Sequence, residues 1–306
     1  MNDLDLMEKF RADVPPPAPG VLANARSAMF RAEPARSRTR WVWRSAPVAA
    51  LAVAVGVAGV VALPGEQAGP ASSPQEQAPE AVRVLRLAAA EARRETPLKA
   101  RSDQFVYVES RVAWAGAAAN DKPSGSKRPA YQPPVEKLRR VWLSVDGSRA
   151  GLLSEPGEAD WPLDAGQRAY RDELPTDARA MRAYLYRDTA NAKGIPADRI
   201  AFVKVGDTLR EQYLPPASVA ALFEAAATIP GTTTVKQTDL AGRRGIAVSR
   251  VDQGTRHDLI FDATSYKFLG ERDVVVDDTT PYPKNAVTGW TAQLKIAIVD
   301  RAGQLP

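Results

Sequence analysis

A single histidine, His257, and no cysteine leave this chain few routes to covalent chemistry. His257 sits in Thr255-Arg256-His257-Asp258-Leu259, where alternation predicts a strand. A Ser–His–Asp base has to stand beside a positioned hydroxyl, often one on a sharp elbow. No Gly-x-Ser-x-Gly occurs, so His257 is read as a sheet residue and no catalytic residue is assigned. The lack of cysteine removes disulfides, thiolate metal sites, a cysteine nucleophile and a lipoprotein anchor. One histidine alone leaves zinc without its usual ligand set. Asp277-Asp278, with Asp273 nearby, offers oxygens for calcium, but the spacing of an EF-hand loop is missing. A solvated acidic loop is expected there.

The remaining polar motifs read as turns and surfaces. Gly242-Arg243-Arg244-Gly245 resembles an anion nest, yet a hairpin with exposed arginines explains it. No Walker A or dinucleotide fingerprint is present, so no cofactor is expected. Arg139-Arg140, with Lys127-Arg128 upstream, reads as a solvated face able to meet anionic lipid or polymer. The aromatic residues Trp142, Tyr184, Phe202 and Phe223, with Tyr186 and Tyr213, either line a ligand cavity or fill a core.

Charge placement narrows the partners. The 306 residues carry a net +5 and a sequence pI near 9.4. Residues 1–45 hold eight Lys/Arg against five acids, and the rest hold 33 against 31. The larger part is therefore close to neutral, and nucleic acid is not an expected partner.

Residues 46–63 form an uncharged apolar run. As a helix it would rise about 27 Å at ~1.5 Å per residue, a snug match to a hydrocarbon core of roughly 30 Å. Pro47 falls in the first turn, and Pro64-Gly65 ends the segment. Arg36, Arg38, Arg40 and Arg44 precede it, with Trp41 and Trp43 as interfacial anchors. No Lys or Arg follows until Arg83, so the positive-inside rule places the N-terminus in the cytoplasm. A cleaved signal peptide is the rival reading. The apolar run and the segment before it are both longer than such peptides have, so a retained anchor in the plasma membrane is expected.

The elements that must position any site follow. Residues 1–45 form a basic arm with two apolar stripes, and residues 64–79 a Pro/Gly/Ser/Gln linker. Residues 80–306 form one domain. A helix is predicted over 80–95, strands over 104–112, 137–145 and 149–153, and loop over 114–134 and 154–173. Helices follow: one capped by Thr176, one over 200–213, and one started by Leu214-Pro215-Pro216. Five strands close the chain over 232–240, 245–251, 256–261, 267–276 and 290–300. This is α+β: a curved antiparallel sheet with helices packed on one face.

Several motifs are spread along the chain: Leu4-x-Leu6 with Phe10-Arg11, Leu174-Pro175-Thr176-Asp177, Gly206-Asp207-x-Leu209-Arg210-Glu211, Leu214-Pro215-Pro216, Ile229-Pro230-Gly231 and Leu269-Gly270-Glu271-Arg272. With the Arg-rich approach to one apolar segment, they resemble a family of actinobacterial single-pass membrane proteins often encoded near extracytoplasmic-function sigma factors. That resemblance implies no catalytic residues. The element order is also similar to the half-barrel of the LolA lipoprotein carrier and the RseB/MucB stress sensors, a likeness of architecture alone. Together these imply a membrane-anchored, non-enzymatic sensor. Residues 1–45 would meet a cytoplasmic regulator, and the outer domain an envelope or lipid ligand. A lipid-handling module is the alternative. An envelope hydrolase would need acids clustered around His257 or a serine.

Overall fold

The computed structural model describes residues 74–117, 131–187, 189, 194–278 and 282–306. The basic arm, the apolar run with Arg40, Trp41, Trp43 and Arg44, residues 64–73 of the linker, and Lys127-Arg128 lie outside them. Among the described residues, no helix is long and apolar enough to cross a membrane.

The described residues belong to one compact unit, which is α+β. Its first helix, α1 (Pro74–Ala92), starts inside the expected linker. Ala81, Val84, Leu85, Ala88, Ala89 and Ala92 are its buried stripe, a spacing of three and four that faces one side of a helix. Val82 and Leu87 are only half-buried. Four strands follow: β1 (Phe105–Ala117), β2 (Tyr131–Ser144), β3 (Gly151–Ser154) and β4 (Trp161–Leu163). The first two run into the expected loop 114–134, and β4 lies in the expected loop 154–173.

A helical block interrupts the strands. It comprises α2 (Ala178–Tyr186), α3 (Ala197–Arg210) and α4 (Pro216–Ala226). The cap of α2 is Asp177, whose Oδ1 accepts from the Ala180 N–H at 2.9 Å. Thr176 lies one residue too early, because Asp177 still has extended dihedrals. Pro216 opens α4, where its missing N–H costs nothing.

The C-terminal strands are β5 (Thr232–Thr238), β6 (Arg244–Asp252), β7 (Thr255–Asp262), β8 (Phe268–Val275) and β9 (Val287–Val299). The β6–β7 connection is a two-residue hairpin loop. Gln253 and Gly254 both take positive φ, +47° and +77°, the backbone such tight loops need. The sheet is open, with order β4-β3-β2-β1-β9-β8-β7-β6-β5 and antiparallel ladders. Pairing of β9 with β1 joins the two meanders across the helical insertion.

Parity decides what each strand buries. Val248, Leu259 and Phe261 join the core of α1 to α4, where Phe223 meets Phe261 edge-on at 5.2 Å. Ala247, Ile260 and Leu269, one residue out of phase, form a separate cluster. Val106, Val108, Val141 and Leu143 make a third, and Phe105, Tyr107, Trp142 and Val299 a fourth.

Candidate functional site

The four aromatic residues weighed as cavity lining do not share one cavity. Phe202 and Phe223 are fully buried in the helix core, and Tyr184 packs against it. Lys204 Nζ stands 4.1 Å above the Tyr184 ring and donates to the Tyr184 carbonyl at 2.7 Å. Trp142 belongs to another cluster, because Val141 and Leu143 on either side of it take the alternate direction. Its ring tilts against Tyr107 at 5.2 Å, and its Nε1 donates to the Gln304 carbonyl at 2.6 Å.

An open concavity of about 500 Å³ instead lies where the chain passes from α1 to β1. Leu98, Ala100, Val145 and Tyr170 are among its apolar walls, and Lys99 and Asp146 among its charges. Its frame is a tyrosine clamp. The Leu98 N–H donates to Tyr213 Oη at 2.7 Å, and Tyr170 Oη donates to the Leu98 carbonyl at 2.6 Å. The two rings lie 4.9 Å apart. Backbone bonds hold the clamp in turn: Tyr170 N–H to Val145 O at 3.2 Å, and Tyr213 N–H to Ala169 O at 2.9 Å. Burial pushes both phenols above the usual tyrosine pKa. Hydrogen bonds from Ser148 and Ser144 hold Asp146 down at about 2, so it is a fixed anion at this rim. Tyr170 carried no signal in the sequence, since its neighbours read as loop. Tyr213 stands behind the cavity, packed on Tyr170.

A second polar constellation lies between α3 and the sheet. His257 Nδ1 is 2.7 Å from Asp273 Oδ1, its cross-strand partner on β8. Asp273 is thus a strand residue engaged by the histidine, not part of an acidic loop with Asp277-Asp278. Among the described residues, no acid or histidine cluster is arranged to hold a metal ion. His257 Nε2 is buried with no hydrogen-bond partner, so no hydroxyl nucleophile is placed against it among those residues. Two residues before Asp273, Glu271 receives Arg210 from the end of α3, Nε to Oε1 at 3.1 Å and Nη2 to Oε2 at 3.0 Å. Arg210 also meets Asp207 at 2.9 Å and stacks over Trp114 at 5.3 Å.

Gly206 makes this approach possible. A Cβ on it would sit 2.0 Å from Glu271 Oε2. The Glu271 side chain is 14% exposed, and burial, with Asp207 and Asp273 adding repulsion, pushes it up to about 6. Burial would push Arg210 down, but the charges of Glu271 and Asp207 outweigh it and hold its pKa above the usual value. Three carboxylates therefore share this seam with one permanent cation and one imidazole.

Of the arginines expected at the surface, Arg244 is exposed, while Arg139, Arg140 and Arg243 are engaged. Arg139 is 17% exposed and pairs with Glu155 at 2.7 Å and Glu211 at 3.4 Å. Arg140 pairs with Glu109 at 2.9 Å. Arg243 donates to buried Asp239 at 2.6 Å and to the Gln293 carbonyl at 2.9 Å, so it fastens the β5–β6 turn to β9. Strand alternation sends Arg139 and Arg140 to opposite faces, each toward its own acid.

The sequence matches no protein-family profile and no curated protein.

Proposed function

We propose that this chain is a membrane-tethered, non-enzymatic binding and sensing protein, with residues 1–45 in the cytoplasm and the compact unit outside. One observation carries the reading. The walls of the 500 Å³ concavity include Pro97, Leu98, Lys99 and Ala100, in the segment that follows α1. Going back along the chain, α1 starts at Pro74, shortly after the apolar run 46–63 ends. A ligand in the concavity would press on the Leu98 clamp, and hence on the helix that follows the apolar run in the chain.

The sheet order, with two meanders joined through β1 and β9, supports reading the unit as a half-barrel like those of lipoprotein carriers and envelope-stress sensors. The quoted motifs support kinship with single-pass proteins encoded beside extracytoplasmic-function sigma factors, and a sigma-type regulator is the proposed contact of residues 1–45. The lipid-handling alternative has less support, since Phe202, Phe223 and Phe261 fill the space between helices and sheet. Hydrolysis gains Asp273 beside His257 but no nucleophile among the described residues.

The test is topology plus ligand response. In spheroplasts, external protease should remove a C-terminal tag and spare an N-terminal one, with the chain retained after carbonate washing. A chain released by carbonate, or a C-terminal tag that is protected, would overturn the tethered reading. Covalent labelling at Lys99 should be blocked when an envelope extract supplies the ligand; equal labelling with and without extract counts against sensing through this concavity.

A further inference from the structure

The two meanders are not joined along the whole of β9. β8 pairs with β9 only from Arg272↔Trp290 to Val274↔Val287, whereas β9 runs on to Val299 with β1 on its other side. β8 begins at Phe268, so past Gln293 no described strand stands on its side of β9. Arg243 marks where the strands part. Its Nη2 donates to the Leu269 carbonyl at 3.3 Å and to the Gln293 carbonyl at 2.9 Å. Beyond it lies a hollow of about 330 Å³, with Phe268, Leu294, Lys295 and Ile296 among its walls.

Parity tells which main-chain groups meet this hollow. Along an antiparallel strand the N–H and C=O of one residue point to one side, and those of the next residue to the other. The Gln104 carbonyl accepts from the Val145 N–H, so Gln104, Val106 and Val108 turn toward β2. Their partners on β9, Ile298 for Val106 and Ile296 for Val108, therefore face away from β1. The bulge at Leu294 keeps Gln293 on that same side, as its bond to Arg243 shows. The N–H and C=O groups of Ile296 and Ile298 have no ladder partner among the described residues. Such an open row is what an added strand pairs with.

The side chains narrow the occupant. On the helix side the hollow offers Phe268 and Ile296, each at the border of a core cluster. Lys295, out of phase with Ile296, lies on the opposite face. The charges of the hollow are Arg243, Lys267 and Lys295 against Asp262. Asp262 is bound into its own turn, where it accepts the Thr264 and Ser265 N–H groups at 2.9 and 2.7 Å. Arg243 is held by Asp239, and Lys267 by Glu95 at 3.0 Å. Lys295 has the Pro306 main-chain oxygen at 3.4 Å, and its cross-strand neighbour Glu109 already binds Arg140 at 2.9 Å. A strand laid along Ile296 and Ile298 would turn alternate side chains to an apolar wall and to this lysine.

We propose that the open edge of β9 at Ile296 and Ile298 binds an extended peptide by strand addition, one in which apolar and acidic side chains alternate. The hollow shares no residue with the Leu98 concavity, and the proposal stands whether or not the tethered reading does.

The test uses the full chain in detergent micelles and a synthetic peptide of alternating valine and glutamate, with amide exchange read by NMR. In the free chain the Ile296 and Ile298 amides should exchange faster than that of Ala297, which faces β1. Saturating peptide should slow both about fivefold or more. Lys295→Glu should weaken binding about fivefold; if that variant fails to fold, a peptide with lysine in place of glutamate carries the same charge test and should bind less tightly. A peptide methylated on every main-chain nitrogen keeps the side chains, loses the donors and should not bind. Ile296 and Ile298 amides as slow as Ala297 in the free chain would mean that the edge is already paired. That result, no protection by the peptide, or equal binding of the methylated or lysine peptide overturns the proposal. Protection that rises with protein concentration in the absence of peptide assigns the edge to a second copy and overturns it as well.

Discussion

Replacing Glu271 with glutamine should change how the stability of the unit depends on pH. In the folded chain this carboxyl is pushed up to about 6, against an ordinary value of 4.5. Between those values the folded state holds a proton that the unfolded state has released. Stability from this group therefore rises as pH falls from about 7 to 4.5, the reverse of an ordinary salt-bridged carboxylate. The difference of about 1.5 units, at about 1.4 kcal/mol each, is worth about 2 kcal/mol. The side chain is 14% exposed, so solvent screening removes little of it. Glutamine resembles the protonated acid: neutral, nearly the same shape, and able to accept from Arg210. Relative to wild type, Glu271→Gln should gain about 2 kcal/mol between pH 4.5 and pH 7. Asp258, also raised by burial, contributes equally to both proteins and cancels. The measurement is urea unfolding of full-length chains in micelles, followed by tryptophan fluorescence at half-unit pH steps. Parallel pH profiles, or a gap that widens toward acid in the variant's favour, would refute the account of the seam.

Two further substitutions test the geometry around the sites. Gly206→Ala puts a methyl 2.0 Å from Glu271 Oε2, so the carboxylate must leave Arg210 or α3 must lift; a loss of about 1–3 kcal/mol is expected in the same unfolding assay, and an unchanged midpoint would argue against the tight approach of α3. Tyr213→Phe removes the acceptor of the Leu98 N–H; amide exchange at Leu98 should accelerate about fivefold for a bond worth ~1 kcal/mol, with α1 amides little affected, and unchanged exchange at Leu98 would dismiss the clamp.

How far the residues disclosed all this differs by element. The five C-terminal strands are legible because their signals are local: alternation along each strand, and a turn such as Gln253-Gly254 between them. The start of α4 at Pro216 is legible for the same reason. The edge strand Trp161–Leu163 is not, because three residues are too few to show a period. The extension of β1 to Ala117 and of β2 back to Tyr131 follows from pairing with each other, which outweighs the glycines and prolines nearby.

The composition and order of residues thus determine the α+β class, the near-neutral domain behind a basic arm, and the absence of cysteine chemistry. They also place the apolar run that sets the expected topology. Every polar constellation was decided by tertiary structure. His257 meets Asp273 only because β7 and β8 pair in one register; a slip of one residue would send Asp273 to the opposite face. Arg210 finds Glu271 sixty-one residues away, across a gap that Gly206 keeps open. Asp258 stands opposite Arg272 in the ladder, yet its carboxylate is bound by Arg256 on its own strand. Periodicity tells which residues share a face of one element. Which faces meet, and which charges are then left to find each other, depends on contacts far apart in the chain, and no local pattern encodes them.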